Sequence, residues 1–180
     1  MKKRMKKWFC IVLTIITCMT MYTPVMAASA KYNAAVSSYR RYMANLWGSN
    51  KSYKIVDIDG NGIPELIAHT WTENSICTYN PRTKRTVCVA SIGCGKGYYL
   101  PILYSKKTHT VMICSASTGG NTKEIYKISG TRAKLVLRAE AFNGKFESGY
   151  KVNGRKVSRY TYNKRINKYM KRAVTLTIPR

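Results

Sequence analysis

Between residues 53 and 154 the chain is a succession of short β-like runs. They are YKIVDI (53–58), ELIAHTW (65–71), SICTYN (75–80), RTVCVASI (85–92), YYLPILYS (98–105), TVMICSAS (110–117), EIYKIS (124–129), KLVLRAEAF (134–142) and KFESGYKV (145–152). Each is rich in Val, Ile, Tyr or Thr, and turn-forming stretches separate them: DGNG, NPRTK, GCGKG, SKKTH, STGGN, SGTR and NGK. Regular turns every ~8–15 residues argue for an antiparallel meander. Several runs are nearly continuous in apolar residues, the pattern of strands covered on both faces.

Helical periodicity appears on either side of this block. In KYNAAVSSYRRYMANLW (31–47), Tyr32, Ala35, Val36, Tyr39, Tyr42, Met43 and Leu46 share one face, and GSN ends the segment. Near the other end, Ser158 is placed to cap RYTYNKRINKYMKR. There Tyr162, Ile166, Tyr169 and Met170 share one arc, and Lys164, Arg165, Lys168, Lys171 and Arg172 the opposite one. The tail AVTLTIPR reads as a last strand or a frayed end. The expected fold class is therefore α+β, mainly β: an antiparallel meander flanked by an N-terminal and a C-terminal helix.

Residues 1–30 read as a secretory signal peptide. MKKRMKK is basic, the run from Trp8 to Tyr22 is apolar, and PVMAASA offers small residues for cleavage after Ala27 or Ala30. The apolar run is shorter than the ~20 residues of a membrane span, and no later segment is apolar enough to be one. Residues 31–180 then form a single domain, and the expected location is secreted or extracellular, with association with a cell wall left open. The whole chain holds 32 Lys and Arg against 7 Asp and Glu. Removing the leader takes five bases and no acid, leaving 27 against 7, a net +20. A charge of this size speaks to partners rather than to fold. It points to anionic cell-wall or other extracellular polymers.

Cys77, Cys88, Cys94 and Cys114 follow the leader, an even number in a chain read as exported. Centring a hairpin on NPRTK sets Cys77 opposite Cys88, close enough for a disulfide. Cys94 with Cys114 follows by elimination. Four buried thiols are the plain alternative. A zinc site lacks both a C-x-x-C and a suitably spaced His.

Against this charge balance, VDIDGNGIPEL (56–66) stands out, since Asp57, Asp59 and Glu65 place three of the seven acids in nine residues. Asp57, Asp59 and Asn61 alternate, Gly62 permits a bend, Ile63 offers a carbonyl, and Glu65 closes the series. Oxygen donors at positions 1, 3, 5, 7 and 9 suit the hard cation Ca²⁺. An EF-hand would carry Glu at position 12, where this chain has Ala68. The plain alternative is a β-turn, because Asp-Gly and Asn-Gly are also hairpin signals.

Asp57, Asp59, Asn61, Gly62 and Glu65, followed by Leu66, resemble the D-x-[DN]-x-[DN]-G-x-x-[DE] calcium loop of FG-GAP and VCBS-type repeats. The resemblance implies Ca²⁺ held by Asp57, Asp59, Asn61 and Glu65 with the Ile63 carbonyl, between two strands of the propeller-blade kind. It covers about fifteen residues and a single copy, and a full propeller needs far more chain, at roughly 40–50 residues per blade. Glu65 stands where those repeats usually carry Asp, and Pro64 stiffens the loop. The wider layout of leader, helix, acidic loop, meander and basic end is similar to that of small exported proteins of Gram-positive bacteria.

Signals for catalysis are thin. There is no G-x-S-x-G and no H-E-x-x-H, and the GCGKG stretch fails the phosphate-loop pattern at Ala90 and Gly97. A small secreted nuclease or other hydrolase would have to draw on Glu65, His69, Glu73 and His109. A cysteine nucleophile would have to pair Cys94 or Cys114 with one of those histidines. The basic run Arg155, Lys156, Arg159, Lys164, Arg165, Lys168, Lys171 and Arg172 contains no acid and interleaves Tyr160, Tyr162 and Tyr169. It makes polyanion binding through the C-terminal helix a second reading. The expected function is a non-enzymatic, secreted or cell-surface binding protein with a structural calcium loop and a cationic surface.

Overall fold

A computed structural model describes residues 30–46, 52–70, 72–93, 101–144 and 148–176. The leader up to residue 29, the GSN stretch, Trp71 and Cys94 lie outside the described residues. Helix α1 covers residues 30–45. Eleven strands follow among the described residues: β1 (Ser52–Val56), β2 (Glu65–His69), β3 (Glu73–Asn80), β4 (Arg85–Gly93), β5 (Ile102–Ser105), β6 (Thr110–Ser117), β7 (Gly120–Ser129), β8 (Arg132–Asn143), β9 (Ser148–Val152), β10 (Arg155–Val157) and, after helix α2 (Arg159–Tyr169), β11 (Val174–Leu176). All pair antiparallel, in two sheets: β1-β2-β3-β4, and β10-β9-β8-β7-β6-β5-β11.

The layers follow from side-chain alternation along each strand. On β2, Leu66 and Ala68 face α1, where they meet Ala35, Tyr39 and Met43; Ile67 points the other way. On β6, Val111 and Ile113 join Ile67 and Ile76 between the sheets, while Met112 and Cys114 face Tyr162, Ile166 and Met170 of the α2 region. The order is helix, four-stranded sheet, seven-stranded sheet, helix. Both sheets are thus covered on two faces, which explains why their central strands read as continuous apolar runs rather than alternating ones. A polar tie also crosses between the sheets. His69 Nδ1 and Asn74 Oδ1 are 2.5 Å apart, and Asn74 Nδ2 donates to the Cys114 carbonyl at 3.1 Å.

Several local expectations find their place in this frame. Cys77 lies opposite Cys88 in the β3–β4 register, with Cα atoms 3.9 Å apart and the sulfurs at disulfide distance. Cys114 is buried beneath α2. Ser158 caps α2, its hydroxyl accepting from Thr161 N at 3.2 Å. Of the tail, Val174–Leu176 is a strand, paired to β5. Tyr32, expected on the buried face of α1, is instead 45% exposed. It sits in the first turn, and the face buried against the sheet takes in Ser38, which bonds Thr86 at 2.8 Å. Strand β10 was not expected. Its hairpin turns on Asn153 and Gly154, both with positive φ (49° and 80°), the pair that a two-residue I′ turn needs.

Candidate metal centre

The loop joining β1 to β2 is built around two carboxylates that bend the backbone. Asp57 accepts from Gly60 N (2.8 Å) and Gly62 N (3.0 Å), and Asp59 accepts from Asn61 N (3.2 Å). Gly60 and Gly62 take φ of 75° and 81°, which a side chain would strain. Asn61 Oδ1 accepts from Ile63 N at 2.7 Å and reverses the chain toward β2. These turns bring carboxylate oxygens of Asp57, Asp59 and Glu65 within 4.8 Å of one another. Asn61 adjoins the cluster, its amide donating to Asp59 Oδ2 at 2.9 Å. Ile63 is half-buried and packs against the α1 layer.

The three acids differ in environment. Asp57 and Asp59 are partly open to solvent, whereas Glu65 is 1% exposed. Glu65 Oε2 accepts from Ile58 N at 2.9 Å, and Ile58 is itself buried in the core between the sheets. Burial pushes the Glu65 carboxyl up to about 8, and the Asp59 and Asp57 charges push in the same direction. The Ile58 hydrogen bond offsets part of this. A buried carboxylate facing two others is an unfavourable arrangement unless a proton or a cation sits with it.

Two contacts from distant sequence hold the loop, and neither is visible in the loop motif. Tyr39 of α1, fully buried, donates its hydroxyl to the Pro64 carbonyl at 2.6 Å. Gly130, in the β7–β8 turn of the other sheet, donates its N–H to Asp59 Oδ2 at 2.6 Å. The sequence marks SGTR as a turn but holds no signal that this turn meets Asp59, 71 residues earlier. The loop is therefore gripped by α1 on one side and by the second sheet on the other. Its donor set is carboxylate oxygen, of the kind that could hold a hard metal ion rather than a soft one.

The remaining candidate residues lie elsewhere. His69 is buried and bonded to Asn74; His109 is exposed in the β5–β6 turn with φ of 54°; neither joins the carboxylate cluster. Arg155 and Lys156 lie on β10, at the edge of the seven-stranded sheet, and Arg159 opens α2. Lys164, Arg165, Lys168, Lys171 and Arg172 are all exposed. Of the interleaved tyrosines, Tyr162 is buried, Tyr169 is half-buried and Tyr160 is 72% exposed. Hydroxyls from the β5–β6 hairpin hold the end of α2 and the turn after it: Thr110 donates to the Tyr169 carbonyl at 2.8 Å, Thr108 to the same oxygen, and Ser105 to the Lys171 carbonyl. They satisfy carbonyls that a helix terminus leaves open, and so fix which face of α2 looks outward. No described helix is long and apolar enough to cross a membrane. Comparison with protein families, with curated proteins and with solved structures found no match to this chain.

Proposed function

We propose that this chain is a secreted or cell-surface binding protein, non-enzymatic, clamped by one structural Ca²⁺ and acting through its cationic surface on anionic polymers. The observation that carries the reading is the segregation of charge. Three of seven acids are drawn into one loop, with a buried member that no basic side chain pairs among the described residues. The abundant bases stay outside, and both ion pairs formed between described residues use the same Arg138. A loop that only turned the chain would gain just the Ile58 N–H bond by burying Glu65 beside two like charges, and would have to keep it protonated. A loop that holds Ca²⁺ gains a counter-charge for all three acids, and the likeness to FG-GAP and VCBS loops points the same way.

Thermal unfolding of the protein with Ca²⁺ and with EGTA, beside Asp57→Ala/Asp59→Ala, tests the clamp. Extracellular calcium modules bind at roughly 10⁻⁴–10⁻³ M. At a hundredfold excess over Kd the metal adds about 2.7 kcal/mol. For a chain of this size that raises Tm by roughly 5–10 °C. The rise is expected in the parent and absent from the double variant. An equal Tm in Ca²⁺ and EGTA for the parent reduces the loop to a turn.

A further inference from the structure

We infer that the outward face of α2 is a docking surface for an extended single strand of nucleic acid; this rests on the cationic-surface reading above and names its partner. Lys164 and Lys168 follow Tyr160 along one line of the helix, at i+4 and i+8, with Arg165 beside them, and Lys171 lies in the turn just past the helix end. At ~1.5 Å per residue the helical part of this line is about 12 Å long, and its lysines lie about one turn apart. Together with Thr161 and Asn167 these side chains border a shallow depression of about 590 Å³.

Two features separate this surface from a merely solvated one. The first is unrelieved repulsion. No acid occurs from Arg155 to Arg172, the first turn of α2 carries none, and none of Lys164, Arg165, Lys168 and Lys171 forms an ion pair with a described residue. Lysines at i and i+4 repel, so the helix gains when a chain of phosphates lies along them. The second is Tyr160. Its neighbours Tyr162 and Tyr169 turn toward the core, but Tyr160 is 72% exposed, with Lys164 Nζ 5.6 Å from its ring centroid. An exposed ring at the head of a cationic line is a stacking platform for an unpaired base. A polymer with phosphates and no bases has nothing to place there, and a duplex keeps its base faces covered.

Fluorescence anisotropy with a labelled twelve-nucleotide oligothymidylate, and with an abasic phosphodiester of equal length, tests the inference. The oligothymidylate is expected to bind with log K falling against log salt at a slope near −3, for about four phosphates. Lys164→Gln/Lys168→Gln/Lys171→Gln lowers that slope by about 2. Tyr160→Ala weakens oligothymidylate roughly tenfold and leaves the abasic strand unchanged. Equal binding of the two probes, with no effect of Tyr160→Ala, overturns nucleic acid as the partner while the cationic surface stands. Unchanged binding by the triple glutamine variant overturns α2 as the place. Failure of both probes to bind at low salt overturns the inference together with the polyanion reading beneath it.

Discussion

The β1–β2 loop and the outer face of α2 each crowd like charge into a short segment, and the fold treats them in opposite ways. The loop turns its acids inward. Glu65 is buried, Asp57 and Asp59 take backbone N–H donors, and α1 and the second sheet both hold the loop. The helix turns its bases outward, where water screens them and only Tyr162 and Ile166 are buried from within it. Charge repulsion in a buried site is felt by the whole fold; in water it costs the fold little and remains available to a partner. A metal at the loop should therefore act on stability, and an anion at the helix on binding.

The largest expected effect tests whether the loop's repulsion is truly internal. In the metal-free protein the Glu65 carboxyl is raised from 4.5 to about 8, so the folded state holds its proton more tightly than the unfolded chain does. Stability is then greatest below pH ~4.5 as far as this group is concerned, and falls as pH rises toward about 8, by an amount on the order of several kcal/mol. Glu65→Gln should flatten that fall in EGTA and be more stable than the parent at pH 9, as read by urea unfolding across pH. With Ca²⁺ present the order reverses, because the parent's carboxylate gains a counter-charge that the amide does not. A parent whose stability in EGTA is flat from pH 5 to 9 would remove the distinction between loop and helix.

The next effect asks whether α1 supports the loop. Tyr39→Phe removes only the hydroxyl and leaves the Pro64 carbonyl without its buried donor. A loss of about 1–3 kcal/mol is expected. Because the contact lies one residue from Glu65, calcium affinity measured by titration calorimetry should weaken as well. A stability loss with unchanged affinity would mean that α1 braces the sheet and not the site.

The smallest effect is expected at α2, and its sign is the informative part. Lys164→Gln/Lys168→Gln/Lys171→Gln should leave Tm unchanged or slightly raised in low salt, by ~0.2–0.5 kcal/mol per like-charge pair relieved. The shift should vanish at high salt, where surface charges are screened. A clear drop in Tm would show that these lysines contribute to the fold and are not simply displayed on it.

Much of this architecture is legible in local sequence because local rules decide it. Ser158 caps α2 since its hydroxyl reaches a nearby N–H. NPRTK sets the β3–β4 hairpin, and with it the opposition of Cys77 and Cys88. The turn at Asn153 and Gly154 obeys the same kind of rule; its Asn-Gly signal follows the run KFESGYKV, but RKV on its other side is too short to stand out as a strand. Tyr32 matches the helical period and is still exposed, because a wheel gives direction and not how far the opposing sheet extends.

Local sequence accounts for the helices and for every strand but β10, for the gathering of acids between residues 57 and 65, and for the two-sided distribution of residues on α2. Each depends on neighbours within a few residues, where backbone geometry leaves few choices. Long-range packing divides the strands into two stacked sheets, buries Glu65, and sets Tyr39 and Gly130 against Pro64 and Asp59. Those outcomes depend on contacts across 25 and 71 residues, set by how the layers close on one another rather than by any pattern along the chain.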